Sequence, residues 1–282
     1  MFPLDPVSQF SYAGAGLLVG MTLLWLYQWR HRDAGIVDVG WSAGVGLSAL
    51  WFAATTAGID SRGWLIAGLN AVWSFRLAYY IFTDRVRGKS EDGRYQALRA
   101  YWGKYANGAF LLFFWGQALL VLVFAMSPWV ALQPVVTGQS WLGNAALWPA
   151  WRIAGANWSA GDLLGVVVWT ISITNEALAD RQLARFRSNP VNKGKVCQAG
   201  WWRYSRHPNY FFEWLHWWSY VLWSITSSLW WLTLIAPSLM LYFLLKVTGI
   251  PATEAQALRS RGEAYREYQR TTSMFVPWWT GS

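Results

Sequence analysis

Residues 108–130 read GAFLLFFWGQALLVLVFAMSPWV and contain no ionisable side chain. A helix needs about 20 mainly apolar residues to cross the hydrocarbon core of a bilayer, and it satisfies its own backbone hydrogen bonds there. In water the same run would expose apolar surface on every face. Runs of similar character recur at 10–28, 35–57, 64–83, 161–179, 210–225 and 229–250. The expected fold class is therefore all-α, a polytopic membrane helix bundle with about seven transmembrane helices. Composition agrees: the 282 residues are 55% hydrophobic and 13% charged, with a mean hydropathy of +0.20. A soluble chain carries about a quarter charged residues.

The charges lie between the runs. Of the 23 basic residues, only Arg62 and Arg152 fall in loops on one side; Arg76 lies within a span, and the rest face the opposite side. By the positive-inside rule the N-terminus lies outside and the C-terminus in the cytoplasm. The net charge of +9 is thus spent on orientation in a bilayer, and no nucleic-acid partner is expected. The first run is too long for a cleaved signal peptide and is followed, not preceded, by basic residues, so it reads as a signal anchor. Several of the 24 tryptophans, among them Trp29, Trp64, Trp129, Trp158, Trp278 and Trp279, sit at run ends, where indole rings anchor at headgroups. Cys197 stands alone, which excludes an intrachain disulfide and reads as an inert or mildly reactive thiol.

Between the runs, residues 131–157 carry Trp141, Trp148 and Trp151 with almost no charge and read as a membrane-surface loop. Residues 90–104 read as an amphipathic stretch. Residues 188–200, with Pro190 and Gly194, read as a loop. Residues 254–270, following Pro251, read as one soluble helix of alternating charge.

Polar residues that burial of apolar surface does not explain fall in four places. Glu176, Asp180 and Arg187 are spaced i, i+4, i+11, on one helix face. A carboxylate within a span is costly unless paired or hydrated, so it is either an interfacial ion-pair rung or part of a site. Arg206-His207-Pro208-Asn209-Tyr210 opens the sixth run. Pro208 suits a first helical turn. Asn209, Glu213, His216 and Tyr220 then form a polar stripe that must face the protein interior or a wet cavity. For His216 and Tyr220 an interhelical hydrogen-bond network is the expectation; for 206–213, ligand binding. Near the C-terminus Glu254, Arg261, Tyr265 and Tyr268 recur along one face. Finally, Asp38 and Arg76 sit inside the second and third runs, either as a structural pair or lining a cavity. Carboxylates and amides mixed with guanidinium groups and tyrosines suit a ligand bearing ribose, amide and phosphate rather than a metal.

At these residues the sequence resembles the 3-oxo-5-alpha-steroid 4-dehydrogenase (steroid 5-alpha-reductase) family, and an uncharacterised bacterial branch of it in particular. The resemblance rests on Glu-Asp-Gly-Arg-Tyr (91–95), Ala-Asp-Arg-Gln-Leu (179–183), Phe186-Arg187, Arg-His-Pro-Asn-Tyr (206–210) with Glu213, and the tail Glu254, Tyr265, Tyr268, Pro277. It covers most of the chain and is strongest from Glu176 onward. It implies one membrane domain over 1–282, with 1–130 forming the substrate-side helices and 159–282 a cofactor-binding half.

The cofactor implied is NADPH, held by Glu176, Asp180, Arg187, Tyr204, Arg206, His207, Asn209, Tyr210, Glu213, Tyr265 and Tyr268, with no metal. Hydride would pass to the activated C=C of a lipophilic enone, steroid-like, isoprenoid or fatty. The substrate end departs from the family, since Val37-Asp38 stands where a Gln-Glu pair is usual. Asp38, with Arg76 and Tyr80, is then expected to polarise or protonate the acceptor, for which Asp38 would need a raised pKa. The alternative is an S-adenosylmethionine-dependent membrane methyltransferase of the isoprenylcysteine or phospholipid type, which shares the Arg-His-Pro-x-Tyr helix start. The expected setting is a monomer in a bacterial inner membrane, with its active site open to the cytoplasm.

Overall fold

A computed structural model describes residues 3–134, 151–153 and 156–279, and it divides into two compact units. The first comprises Met1–Ala160 with Ser224–Ile235, and the second Gly161–Trp223 with Ala236–Ser282. Among the described residues, six helical segments are long and apolar enough to cross a membrane: Pro6–His31, Ile36–Thr55, Ser61–Val86, Gly93–Ala131, Ala160–Ser188 and Trp230–Arg261. The chain is a polytopic helical membrane protein. Trp141 and Trp148 of the expected surface loop lie outside the described residues.

In the first unit, helix α1 (Pro6–His31) starts where Asp5 accepts a hydrogen bond from the Ser8 amide at 3.1 Å and Pro6 occupies the first turn. It ends at Arg32, which takes the left-handed conformation at φ 54° and donates its N–H to the Gln28 carbonyl. Helices α2 (Ile36–Thr55) and α3 (Ser61–Ile81) pack closely. Gly46 brings its backbone N–H within 2.8 Å of Ser74 Oγ, and a Cβ at that position would sit 2.6 Å from the same oxygen. Close approach of backbones through small residues is how membrane helices associate where lipid is as apolar as leucine.

A π turn, Phe82–Val86, extends α3. Helix α4 (Gly93–Trp102), capped by Asp92, is the structured form of the expected amphipathic stretch, and α5 (Ala106–Ala131) contains the decisive apolar run. Two three-residue strands, β1 (Trp151–Ile153) and β2 (Ala156–Trp158), pair antiparallel.

The second unit holds α6 (Ala160–Ser188), α7 (Pro208–Ser224), α8 (Ile235–Tyr242), α9 (Ile250–Arg261) and α10 (Glu263–Thr271). Gly165 makes room for Trp223, whose indole N–H donates to the Asp162 carbonyl at 3.2 Å. The run at 210–225 becomes α7, whose 17 residues reach about 26 Å along the axis, against a hydrocarbon core of about 30 Å. The expected single helix over 254–270 is corrected: Gly262, at φ 55°, ends α9 and starts α10, so the chain turns there.

Candidate functional site

Each unit carries its own polar cluster. In the first, Asp38 lies in the first turns of α2, half-buried. Its Oδ2 accepts from Arg94 Nη2 at 3.0 Å and its Oδ1 from the Tyr95 hydroxyl at 2.6 Å. Arg94 is itself held by Asp92, through Nε at 3.1 Å and Nη2 at 3.2 Å. Burial works against the Asp92 carboxylate, but the hydrogen bonds from Arg94 outweigh it and hold its pKa below the ordinary value.

One turn away, Glu91 accepts from both Nε and Nη2 of Arg99, at 3.1 and 2.7 Å, and from the Ala34 amide at 2.9 Å. Arg99 also donates to the fully buried Gln28 at 3.1 Å and stacks over the Phe110 ring at 4.7 Å. The segment 91–99 therefore clamps the α1–α2 turn and positions Asp38. Beside it Asp33 accepts from the Gly35 amide at 2.9 Å; burial, with the nearby Glu91 charge, pushes its carboxyl pKa up.

Arg76 and Tyr80 lie half-buried on α3. Arg94 and Tyr95 are the partners of Asp38 that sequence reasoning did not place in a site. The signal for them was the run 91–95, quoted above for its resemblance alone.

In the second unit, Glu176 and Asp180 follow one another on the buried face of α6, 2% and 5% exposed. Asp180 Oδ1 accepts from Asn209 Nδ2 at 3.1 Å, which ties α6 to the first turn of α7. Glu213 is half-buried one turn along α7. Arg187, seven residues beyond Asp180 and so about 10 Å further along the axis, is exposed at the end of α6.

The remaining expected ligands converge elsewhere. Arg206 is 9% exposed; its Nε donates to Glu254 Oε1 at 2.7 Å and its Nη1 to the carbonyls of Gln269 and Thr272, both at 2.8 Å. His207 Nε2 lies 3.3 Å from the same carboxylate oxygen, and its ring stacks on Tyr210 at 5.5 Å. Burial lowers the His207 pKa and outweighs the opposing pull of Glu254, so the imidazole is neutral near neutral pH.

Tyr268 donates its hydroxyl to the carbonyls of Trp202 and Ser205, and Tyr265 is buried beside it; burial raises the pKa of both phenols. The Tyr204 carbonyl accepts from the Trp278 amide at 3.0 Å. In this arrangement Arg206, His207, Tyr265 and Tyr268 bind α9, α10 and the C-terminal strap to the start of α7. Sequence reasoning set Glu254 on a helical face but not at the centre of this network, because its partners Arg206 and His207 lie nearly fifty residues away.

His216 and Tyr220, both fully buried, are joined along α7 itself, Nε2 to hydroxyl at 3.1 Å. Burial raises the Cys197 thiol pKa, which makes it a poor nucleophile.

The described side chains on α6 and α7 combine carboxylates, an amide and a guanidinium group. The carboxylates and amide (Glu176, Asp180, Asn209) can accept from or donate to polar hydroxyl and amide groups, and Arg187 can bind an anion. The structure thus defines a helical membrane protein with a carboxylate cluster in each unit. The chain belongs to the family described as protein of unknown function (DUF1295), which matches residues 24–272. No curated protein and no solved structure matches it.

Proposed function

We propose that the protein is an NADPH-dependent membrane reductase acting on the C=C of a lipophilic enone. The observation that carries this reading is the buried Glu176–Asp180 face of α6 with Asn209 bonded to it at 3.1 Å. Ionisable groups inside a membrane helix are costly, and a polar ligand that needs them accounts for their presence. The dinucleotide, when bound, supplies the hydride. Glu176, Asp180, Asn209 and Glu213 hold its ribose and amide groups, Arg187 its phosphate, and Tyr204 and Tyr210 flank it. Arg206, His207, Tyr265 and Tyr268 act by fixing the start of α7.

In the first unit the Arg76 guanidinium and the Tyr80 hydroxyl polarise the acceptor carbonyl, and Asp38, an ion-paired carboxylate held by Arg94 and Tyr95, acts by organising the positive and hydroxyl groups around it. Once hydride has added to the β-carbon, the enolate oxygen is held by Arg76 and Tyr80 while the α-carbon takes its proton from solvent water. Placing fixed charge where charge develops is the usual source of rate enhancement in such additions. The reading includes α7 as a seventh crossing, the basic loops in the cytoplasm, a bacterial inner membrane and a monomer.

The test is thermal stabilisation of the purified chain by NADPH, NADH and S-adenosylmethionine. The expected result is a rise in Tm with NADPH that Arg187→Ala and Asn209→Ala remove. Stabilisation by S-adenosylmethionine alone would replace the reductase with a methyltransferase.

A further inference from the structure

At the end of α6 the chain forms a cleft of about 250 Å³ whose lining includes four cationic residues, Arg187, Lys193, Lys195 and Arg261. No Asp or Glu is among the described residues that line it. Four positive groups around one small space repel one another, and the arrangement is relieved by an anion.

The loop is held in place by its own bonds. Asn189 Oδ1 accepts from the Val191 amide at 3.1 Å, Asn192 Nδ2 donates to the Phe186 carbonyl at 3.0 Å, and Arg261 Nε donates to the Lys195 carbonyl at 2.9 Å. Gly194, at φ 79°, allows the turn that sets Lys193 and Lys195 on either side of it. A fixed cationic cleft binds a multiply charged anion without first having to order its own loop.

We infer that this cleft is a phosphomonoester site that reads the 2′-phosphate of the dinucleotide, with Lys193, Lys195 and Arg261 joining Arg187. Position on α6 favours a nucleotide over a lipid headgroup. Arg187 lies on the same helix face as Glu176 and Asp180, so the cleft continues the polar face assigned to ribose. A phosphomonoester carries nearly two negative charges near neutral pH, which suits a cluster of cations better than the single charge of a phosphodiester. The inference rests on the dinucleotide reading above, and it adds the groups that separate NADPH from NADH.

The experiment is calorimetric binding to the full chain in detergent of 2′,5′-ADP and 5′-AMP, which differ only by the 2′-phosphate, alongside NADPH and NADH. The expected result is that 2′,5′-ADP binds at least about tenfold more tightly than 5′-AMP, and that Lys193→Met removes most of that difference while leaving NADH binding unchanged. Lys195→Met, measured in parallel, keeps the test open if the first variant is poorly folded. Equal binding of NADPH and NADH, or equal weakening of both by Lys193→Met, overturns this inference while leaving the dinucleotide reading intact. Binding of neither dinucleotide overturns both. Competition by phosphatidic acid in nanodiscs, with no binding of 2′,5′-ADP, assigns the cleft to lipid and overturns it as well.

Discussion

Glu254→Gln isolates what holds the C-terminal helices to α7. The glutamate is 14% exposed and accepts three side-chain hydrogen bonds: from Arg206 at 2.7 Å and His207 at 3.3 Å on Oε1, and from Gln269 at 2.7 Å on Oε2. Glutamine preserves the shape but replaces one acceptor with an NH2 group. Whichever way the amide is turned, that NH2 confronts either Arg206 or the Gln269 amide.

Removing one partner of a buried ion pair costs roughly 3–5 kcal/mol. Arg206 keeps its two carbonyl acceptors at 2.8 Å, so the expected loss is at the lower end, about 3 kcal/mol. The assay is reversible unfolding of the full chain in mixed detergent micelles, followed by tryptophan fluorescence. Glu263→Gln is the control, because Glu263 makes ion pairs with Arg266 and Arg270 in which every partner is about 65% exposed. Exposed pairs are screened and contribute little, so the control should match the wild-type chain. A loss below about 0.5 kcal/mol for Glu254→Gln, the level of an ordinary surface change, would refute the view that this carboxylate organises the network.

Two further outcomes are expected. Gly165→Ala places a Cβ about 2.3 Å from the indole nitrogen of Trp223, itself 2% exposed; overpacking of this kind costs about 1–3 kcal/mol, read as a lowered Tm that Trp223→Phe partly restores. His207 has a folded pKa below its ordinary value of 6.5, so the unfolded chain takes up the proton first. Its contribution is complete above pH 6.5 and is lost as pH falls from there towards the lower folded value. A Tm profile that declines over that window in the wild-type chain and flattens in His207→Gln is the expected pattern; identical profiles would count against it.

Much of the architecture was legible in local sequence. An uncharged run such as 108–130 has only one environment in which it is stable, and the spacing of Glu176, Asp180 and Arg187 sets them on one face of any helix. Pro208 at the start of α7 was legible for the same kind of reason, since it fits only where no backbone N–H is required. The break at Gly262 was not. Alternating charge around 254–270 is compatible with one helix or two, and the left-handed turn between α9 and α10 is fixed by the packing of Tyr265 and Tyr268 on the residues before α7.

The candidate site divides in the same way. Sequence by itself determined that the chain lives in a bilayer, which helices carry carboxylates where oil should be, and that Asp38, Asp180 and Asn209 needed partners. Tertiary structure alone decided who those partners are. Asp38 is paired with Arg94 and Tyr95, more than fifty residues away, and Arg206 is spent on Glu254 and two carbonyls rather than left open. The reason is physical. Burial of a charge is dictated by the composition of its own segment, whereas its neutralisation requires a group whose distance along the chain carries no information about its distance in space.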